Sequence, residues 1–203
     1  MVFSMVINPE KNQLSGGNIY GIPLEVPPAE QFKLLRKLIP DLRKIGVLYD
    51  PAVSGELVEK GNTEARKSGL SLETVEVHSS KEVPGAVHSL KDKVDAIWMV
   101  PDRTVYSEES LPFIFAFTLD EKIPFLAFSE SFVEAGALLS LSPDYEEMGR
   151  LASQKIDDVL NGRPQNPNPA MKYRLVINLK TARKIHLDIP KAILTGASRL
   201  VGE

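Results

Sequence analysis

Hydrophobic positions along this chain follow two rhythms. Short apolar runs occupy residues 2–7, 44–50, 72–77, 96–100, 124–128, 138–142 and 173–177. They read as strands, most of them apolar throughout, as expected when helices cover both faces of a sheet. Between them, apolar residues return every three or four positions. After Pro28, Phe32, Leu35, Leu38 and Ile39 have helical spacing, and Pro40 stops them. Further helices are predicted over 54–68, ended by Gly69, over 82–91 and over 108–120, with a short one near Phe132. Ser142-Pro143-Asp144 opens a long helix to Leu160, with Met148, Leu151, Ile156, Val159 and Leu160 on its apolar side and Asn161-Gly162 closing it.

Turn residues mark the breaks. Ser15-Gly16-Gly17-Asn18, Gly21, Pro23, Pro27 and Pro28 predict a linker or crossover, residues 163–170 a surface linker, and the last residues a short helix and a tail. Strand ends at Asp50, His78, Asp102 and Ser129 are 28, 24 and 27 residues apart, the interval of successive βα units. The fold class is therefore α/β: a parallel sheet with helices on both faces.

Composition narrows the function classes. With 24 basic and 27 acidic residues spread evenly, the chain has no basic stripe to meet a nucleic-acid backbone. No apolar run approaches the roughly 18–20 residues that span a bilayer, and the apolar N-terminus lacks the basic region and cleavage signal of a leader. Cysteine is absent, which excludes disulfides and thiolate sites, and the three histidines, His78, His88 and His186, are scattered, so neither a metal nor a cofactor is expected. No glycine-rich phosphate loop or nucleophile elbow follows a strand, so no catalytic residue is assigned.

Open parallel sheets bind ligands outside the carboxyl ends of their strands, where strand order reverses. Right-handed crossovers place the strands ending at Asp50 and Asp102 side by side. That gathers Asp50, Ser54, Asp102 and Thr104 along one rim, with Ser129 and Glu130 in the third loop and Asp144 or Tyr145 near a hinge. Ser54 and Ser107 stand where helices begin, either as N-caps or as donors to an anionic group. Asp50 and Asp102 could accept from a ligand or simply form turns. Trp98 reads as core, whereas Tyr49, Tyr106, Phe128 and Tyr145 lie nearer strand ends and could flank a flat ligand. A receiver or flavodoxin-like domain is the enzymatic alternative, but no acidic pair closes the first strand of the main run.

Several ordered motifs carry a resemblance: Val47-Leu-Tyr-Asp-Pro51, Val94-Asp-Ala-Ile97 leading into Pro101-Asp102, Gly136-Ala-Leu-Leu-Ser-Leu-Ser-Pro-Asp-Tyr145 with Gly149-Arg150, and Leu175-Val-Ile-Asn-Leu-Lys-Thr-Ala182. Together they resemble ABC transporter substrate-binding proteins, a family whose relatives include tryptophan-binding members. The resemblance implies a type I periplasmic-binding-protein-like fold with one complete lobe and part of a second. Residues 1–24 would be a remnant of the first lobe and its crossover, 25–141 the second lobe, 142–172 a helix returning to the first lobe, and 173–203 a crossover strand and tail. It further implies capture of a small organic solute, such as an amino acid or aromatic compound, by hinge closure, and delivery to an ABC permease outside the cytoplasm. Family members carry a signal peptide and most of a first lobe before the equivalent of Val2, so a homodimer through the incomplete lobe is expected. Val53-Ser54 stands where relatives have Asn-Ser, and Phe128-Ser129-Glu130 where they have Ser-Asp-Glu; both departures count against an amino-acid ligand, and Phe128 implies an apolar or aromatic part in whatever binds. A ligand-sensing module of a regulator shares the implied fold.

Overall fold

The computed structural model describes residues 1–7, 9, 11–163 and 171–202. Most of the linker predicted over 163–170 lies outside them. The described chain separates into two compact units, Met1–Val26 with Ser142–Arg174, and Pro27–Leu141 with Leu175–Glu203.

In the first unit, strands β1 (Val2–Val6) and β2 (Tyr20–Pro23) pair in parallel. The β2 strand lies inside the stretch predicted as a linker; its Gly21 and Pro23 hid it. Gly21 sits under the Phe3 ring, and a Cβ there would lie 2.0 Å from Phe3 Cζ, so any larger residue would have to displace that ring. Register slips between Ser4 and Val6, and Met5 takes up the extra residue with φ at 61°. Helix α6 (Tyr145–Leu160) packs on these strands through Met148 and Leu151, which close a small core with Ile22. Its buried stripe runs Met148, Leu151, Lys155, whereas Ile156 and Leu160, assigned to the apolar side from sequence, are exposed, Leu160 by 77%.

The second unit begins with α1 (Pro28–Leu38) and continues through β3 (Lys44–Tyr49), α2 (Pro51–Lys67), β4 (Ser71–Glu76), a 3-10 turn (Ser80–Glu82), α3 (Val83–His88), β5 (Ala96–Trp98), α4 (Leu111–Asp120), β6 (Phe125–Ala127), α5 (Glu130–Ala135) and β7 (Leu139–Pro143). Strand β8 (Tyr173–Asn178), helices α7 (Leu179–Lys184) and α8 (Lys191–Thr195), and strand β9 (Arg199–Val201) follow α6. The seven strands are ordered β4-β3-β5-β6-β7-β8-β9. Pairs β3–β4, β3–β5, β5–β6, β6–β7 and β8–β9 are parallel. Residues 173–203 are thus no tail. Asn178 caps α7, and Val176, Ile177, Ala182, Ile185 and Ile193 are buried, so two strands and two helices extend the sheet.

Helices cover both faces. Trp98 meets the ring of Phe32 edge-on at 5.1 Å, and its indole N–H donates to Gln31 Oε1 at 2.9 Å, fixing α1. Gly61 brings α2 against the same ring. On the opposite face Leu90 and Val94, after α3, lie over Gly46 of β3. Strands β7 and β8 each run from one unit into the other, and the Val26–Pro27 bond is a third crossing.

Candidate functional site

Strand order reverses between β3 and β5: the chain goes outward to β4, then returns to the other side of β3. Outside the carboxyl ends of such a pair, two βα loops diverge and leave a crevice.

The first loop is short because Pro51 already occupies the first helical turn, where its missing N–H costs nothing. Asp50 is therefore the N-cap of α2: its Oδ1 accepts from Ala52 N–H at 2.9 Å. Ser54, predicted at the helix start, lies one turn inside, and its N–H bonds the Asp50 carbonyl. In the second loop Asp102 folds its carboxylate back over its own chain. Oδ1 accepts from Thr104 N–H at 2.9 Å and Val105 N–H at 3.3 Å. Oδ2 reaches across to the first loop, accepting from Asp50 N–H at 2.8 Å and from the Ser54 hydroxyl at 2.5 Å. Thr104 returns the connection, its hydroxyl donating to Asp50 Oδ2 at 2.8 Å.

The four rim residues predicted from sequence are thus together, but chiefly on one another. Asp102 and Ser54 are each 4% exposed. Asp102 is a buried anion holding four donors, an arrangement that satisfies it without a ligand. What these loops show to solvent is Pro51, Ala52 and Arg103. Arg103, which lies in the expected rim loop but is not among the expected site residues, has no partner among the described residues.

Beneath the second loop Tyr106 is buried and stacks on Phe125 with ring centroids 6.4 Å apart, so it is a core residue and not a ligand platform. Burial, and secondarily the Asp102 charge, push its phenol far above the ordinary range. The Val100 backbone N–H pulls weakly the other way, without aligned hydrogen-bond geometry. Ser107 opens the turn into α4, its hydroxyl accepting from Ser110 N–H at 3.2 Å. Tyr49 donates to Glu76 Oε1 at 3.2 Å on the β4 side, and burial with the Glu76 carboxylate raises its pKa.

The third loop, after β6, keeps more of its surface. Phe128 is partly exposed and meets Phe132 edge-on at 5.0 Å. Ser129 and Ser131 share a hydrogen bond at 2.8 Å. Glu130 faces β9, where Arg199 lies 3.7 Å from it and 2.7 Å from Glu134, so its charge is engaged away from the loop tip. In the first unit Asp144 caps α6 through Glu146 and Glu147 N–H groups, both at 3.1 Å, and Tyr145 is 51% exposed. Among the described residues no group of three or more His, Asp or Glu could hold a metal ion, and no helix is long and apolar enough to cross a membrane.

The family description "ABC transporter substrate binding protein" matches residues 3–201. The chain belongs to this family. It is a family of substrate-binding proteins and not a class of enzymes. A tyrosine-binding protein of Clostridioides difficile is 28% identical over 178 residues, covering 85% of this chain and 51% of the relative. The chain thus spans about half the length of that curated relative. Among solved structures, a conserved domain protein from Vibrio cholerae superposes with a TM-score of 0.76 at 28% identity, over 98% of this chain and 70% of that one. An ABC domain from Streptococcus pneumoniae in complex with L-Trp gives 0.74 at 28% identity, over 98% and 73%. These neighbours, with a ligand-free, open substrate-binding protein from Clostridium difficile at TM-score 0.81 and 23% identity, have the type I periplasmic binding fold expected from sequence.

Proposed function

We propose that this chain is the solute-recognising part of an ABC importer and that its solute is an aromatic amino acid. The observation that carries the reading is the pair of βα loops tied together at the reversal of strand order, where open parallel sheets take ligands, in a chain of a substrate-binding family. Tyrosine and tryptophan recognition in relatives at 28% identity supports the aromatic class. Phe128, partly exposed after β6, offers a ring edge of matching chemistry. Exposed Arg103 offers a cation to a carboxylate. No bond is made or broken: the solute is captured, handed to a membrane permease and released, which places the work outside the cytoplasm.

Sites of this kind combine apolar burial with a few oriented polar groups. The roles drawn from sequence are refined accordingly. Thr104 and Ser129 keep partly exposed atoms for a solute, while Asp50, Ser54, Asp102 and Glu130 act by shaping the rim; Asp144 and Tyr145 belong to the first unit, Asp144 as the cap of α6 and Tyr145 as an exposed ring.

Calorimetric titration of the chain with L-tyrosine, L-tryptophan, L-phenylalanine and myo-inositol tests the proposal. Heat with the three aromatic amino acids and none with the cyclitol is expected. Binding of the cyclitol alone, or of nothing at millimolar concentration, would overturn it. A second copy of the chain is further proposed to cover the apolar side chains Met1, Met5, Ile7, Ile156 and Leu160, all exposed on the first unit. Light scattering at high concentration should show a dimer, and a strictly monomeric mass would refute it.

A further inference from the structure

Asp102 was expected to touch the solute, yet its carboxylate is buried and spends both oxygens on the protein. The two bonds to Oδ2 cross to the first loop, over 52 residues of sequence to Asp50 and 48 to Ser54, while the two to Oδ1 stay within the second loop. Three of the four donors are backbone N–H groups in the loops that follow β3 and β5, where the two connections diverge. Without the carboxylate, the Asp50, Thr104 and Val105 N–H groups would have to find water, and the Thr104 hydroxyl on Asp50 would lose the anchor that holds its own loop in place. A buried charge is retained at such a place only when it is fully bonded, because a half-satisfied one is costly.

We infer that Asp102 is a positioning residue: a latch that sets the spacing and backbone direction of the two rim loops before a solute arrives, with Ser54 and Thr104 as its pins. The consequence for affinity rests on the function proposed above. Loops held in their bound shape do not have to be ordered by the solute, so the solute's contacts appear as affinity instead of being spent on ordering. Arg103, whose flanking residues Asp102 and Thr104 are both members of the latch, is the side chain whose starting point is most directly set.

Site-resolved amide hydrogen exchange on the free chain tests the latch without any solute. In the unsubstituted chain the Asp50, Thr104 and Val105 amides are expected to be protected. Asp102→Asn keeps one carbonyl oxygen for Thr104 and Val105 but turns an NH2 group toward Asp50. The Asp50 amide should therefore lose protection while the other two keep theirs; Asp102→Ala should release all three. Val47 and Leu48 in β3 should stay protected in both, which separates a loosened latch from a lost fold. Should Asp102→Ala fail to fold, Ser54→Ala and Thr104→Val, which each remove one pin, take its place, with Ser54→Thr as the conservative rescue.

The second arm titrates L-tyrosine and L-tryptophan. Asp102→Asn and Ser54→Ala are each expected to weaken binding by about tenfold, and the double variant by little more than either, because both act on one device. Fast exchange of all three amides in the unsubstituted chain would overturn the latch. So would weaker binding by Asp102→Asn with unchanged Asp50 protection, since that is the signature of direct contact. If neither amino acid binds the unsubstituted chain, the functional proposal falls, and the exchange arm still decides the latch on its own.

Discussion

Gly61 in α2 lies so close to Trp98 that a Cβ built there would sit 2.5 Å from Cζ3 of the indole. Gly55, two turns earlier in the same helix, has nothing nearer than Pro51 Cβ at 4.0 Å. Helix propensity alone favours alanine over glycine by about 1 kcal/mol at both. Packing reverses the sign at one of them. Gly61→Ala should lower the urea midpoint, with a cost of about 1–3 kcal/mol from overpacking, whereas Gly55→Ala should raise it. Equilibrium unfolding of the two variants checks the pair.

The hydrogen bond from Trp98 to Gln31 gives a second prediction. Replacing Gln31 with Leu removes the acceptor and leaves a buried indole N–H facing hydrocarbon, which costs about 1–3 kcal/mol. The loss should appear in denaturant unfolding, with a shift in tryptophan emission as α1 loosens over the ring.

Tyr106 presents the opposite case. Its hydroxyl is buried without a hydrogen-bond partner among the described residues, close enough to the Asp102 charge to feel it. Tyr106→Phe removes the orphan oxygen and keeps the stacking on Phe125, so thermal stability should stay level or rise by a few degrees, equivalent to about 1 kcal/mol. A fall of the melting temperature would show that the hydroxyl has a partner, such as a buried water.

Glu82 supplies a pH-dependent signature. Its carboxylate accepts from the His78 N–H at 2.9 Å and from the Ser79 hydroxyl at 3.0 Å, in that order of influence, and these hold its pKa below the ordinary glutamate value. A carboxyl depressed on folding contributes above its unfolded pKa, and the contribution is lost as pH falls through the folded value. Carbon-detected titration of Glu82 should therefore show a midpoint below that of a free glutamate, and acidification through it should release the His78 amide. In Glu82→Gln that pH dependence should vanish.

Strands and helices of the second unit were readable because continuous apolar runs and three-or-four spacing signal different burials. The carboxyl-end rim followed from crossover handedness. What escaped has physical reasons. Tyr20–Pro23 pairs as a strand although glycine and proline usually break one, because β1 supplies a partner that no local signal announces. The α2 start moved to Pro51 because the carboxylate of Asp50, not the Ser54 hydroxyl, takes the free N–H. The stripe of α6 keeps the helical spacing of Met148, Leu151 and Lys155; chemistry suggested Ile156, but register placed the aliphatic stem of Lys155 inward. Burial of Asp102 was illegible for a subtler cause. The same residue types in the same loops serve either as ligand acceptors or as structural anchors, and only the direction of the Asp102 side chain distinguishes the two.

The three crossings between the units carry a consequence for biosynthesis. A ribosome that has released residues up to Leu141 has delivered β3 through most of β7, but the neighbour of β7 in the sheet, β8, is still to come. Through the synthesis of α6 that growing polypeptide therefore displays an unpaired, apolar strand edge, the kind of surface that chaperones bind and that misassembles when they do not.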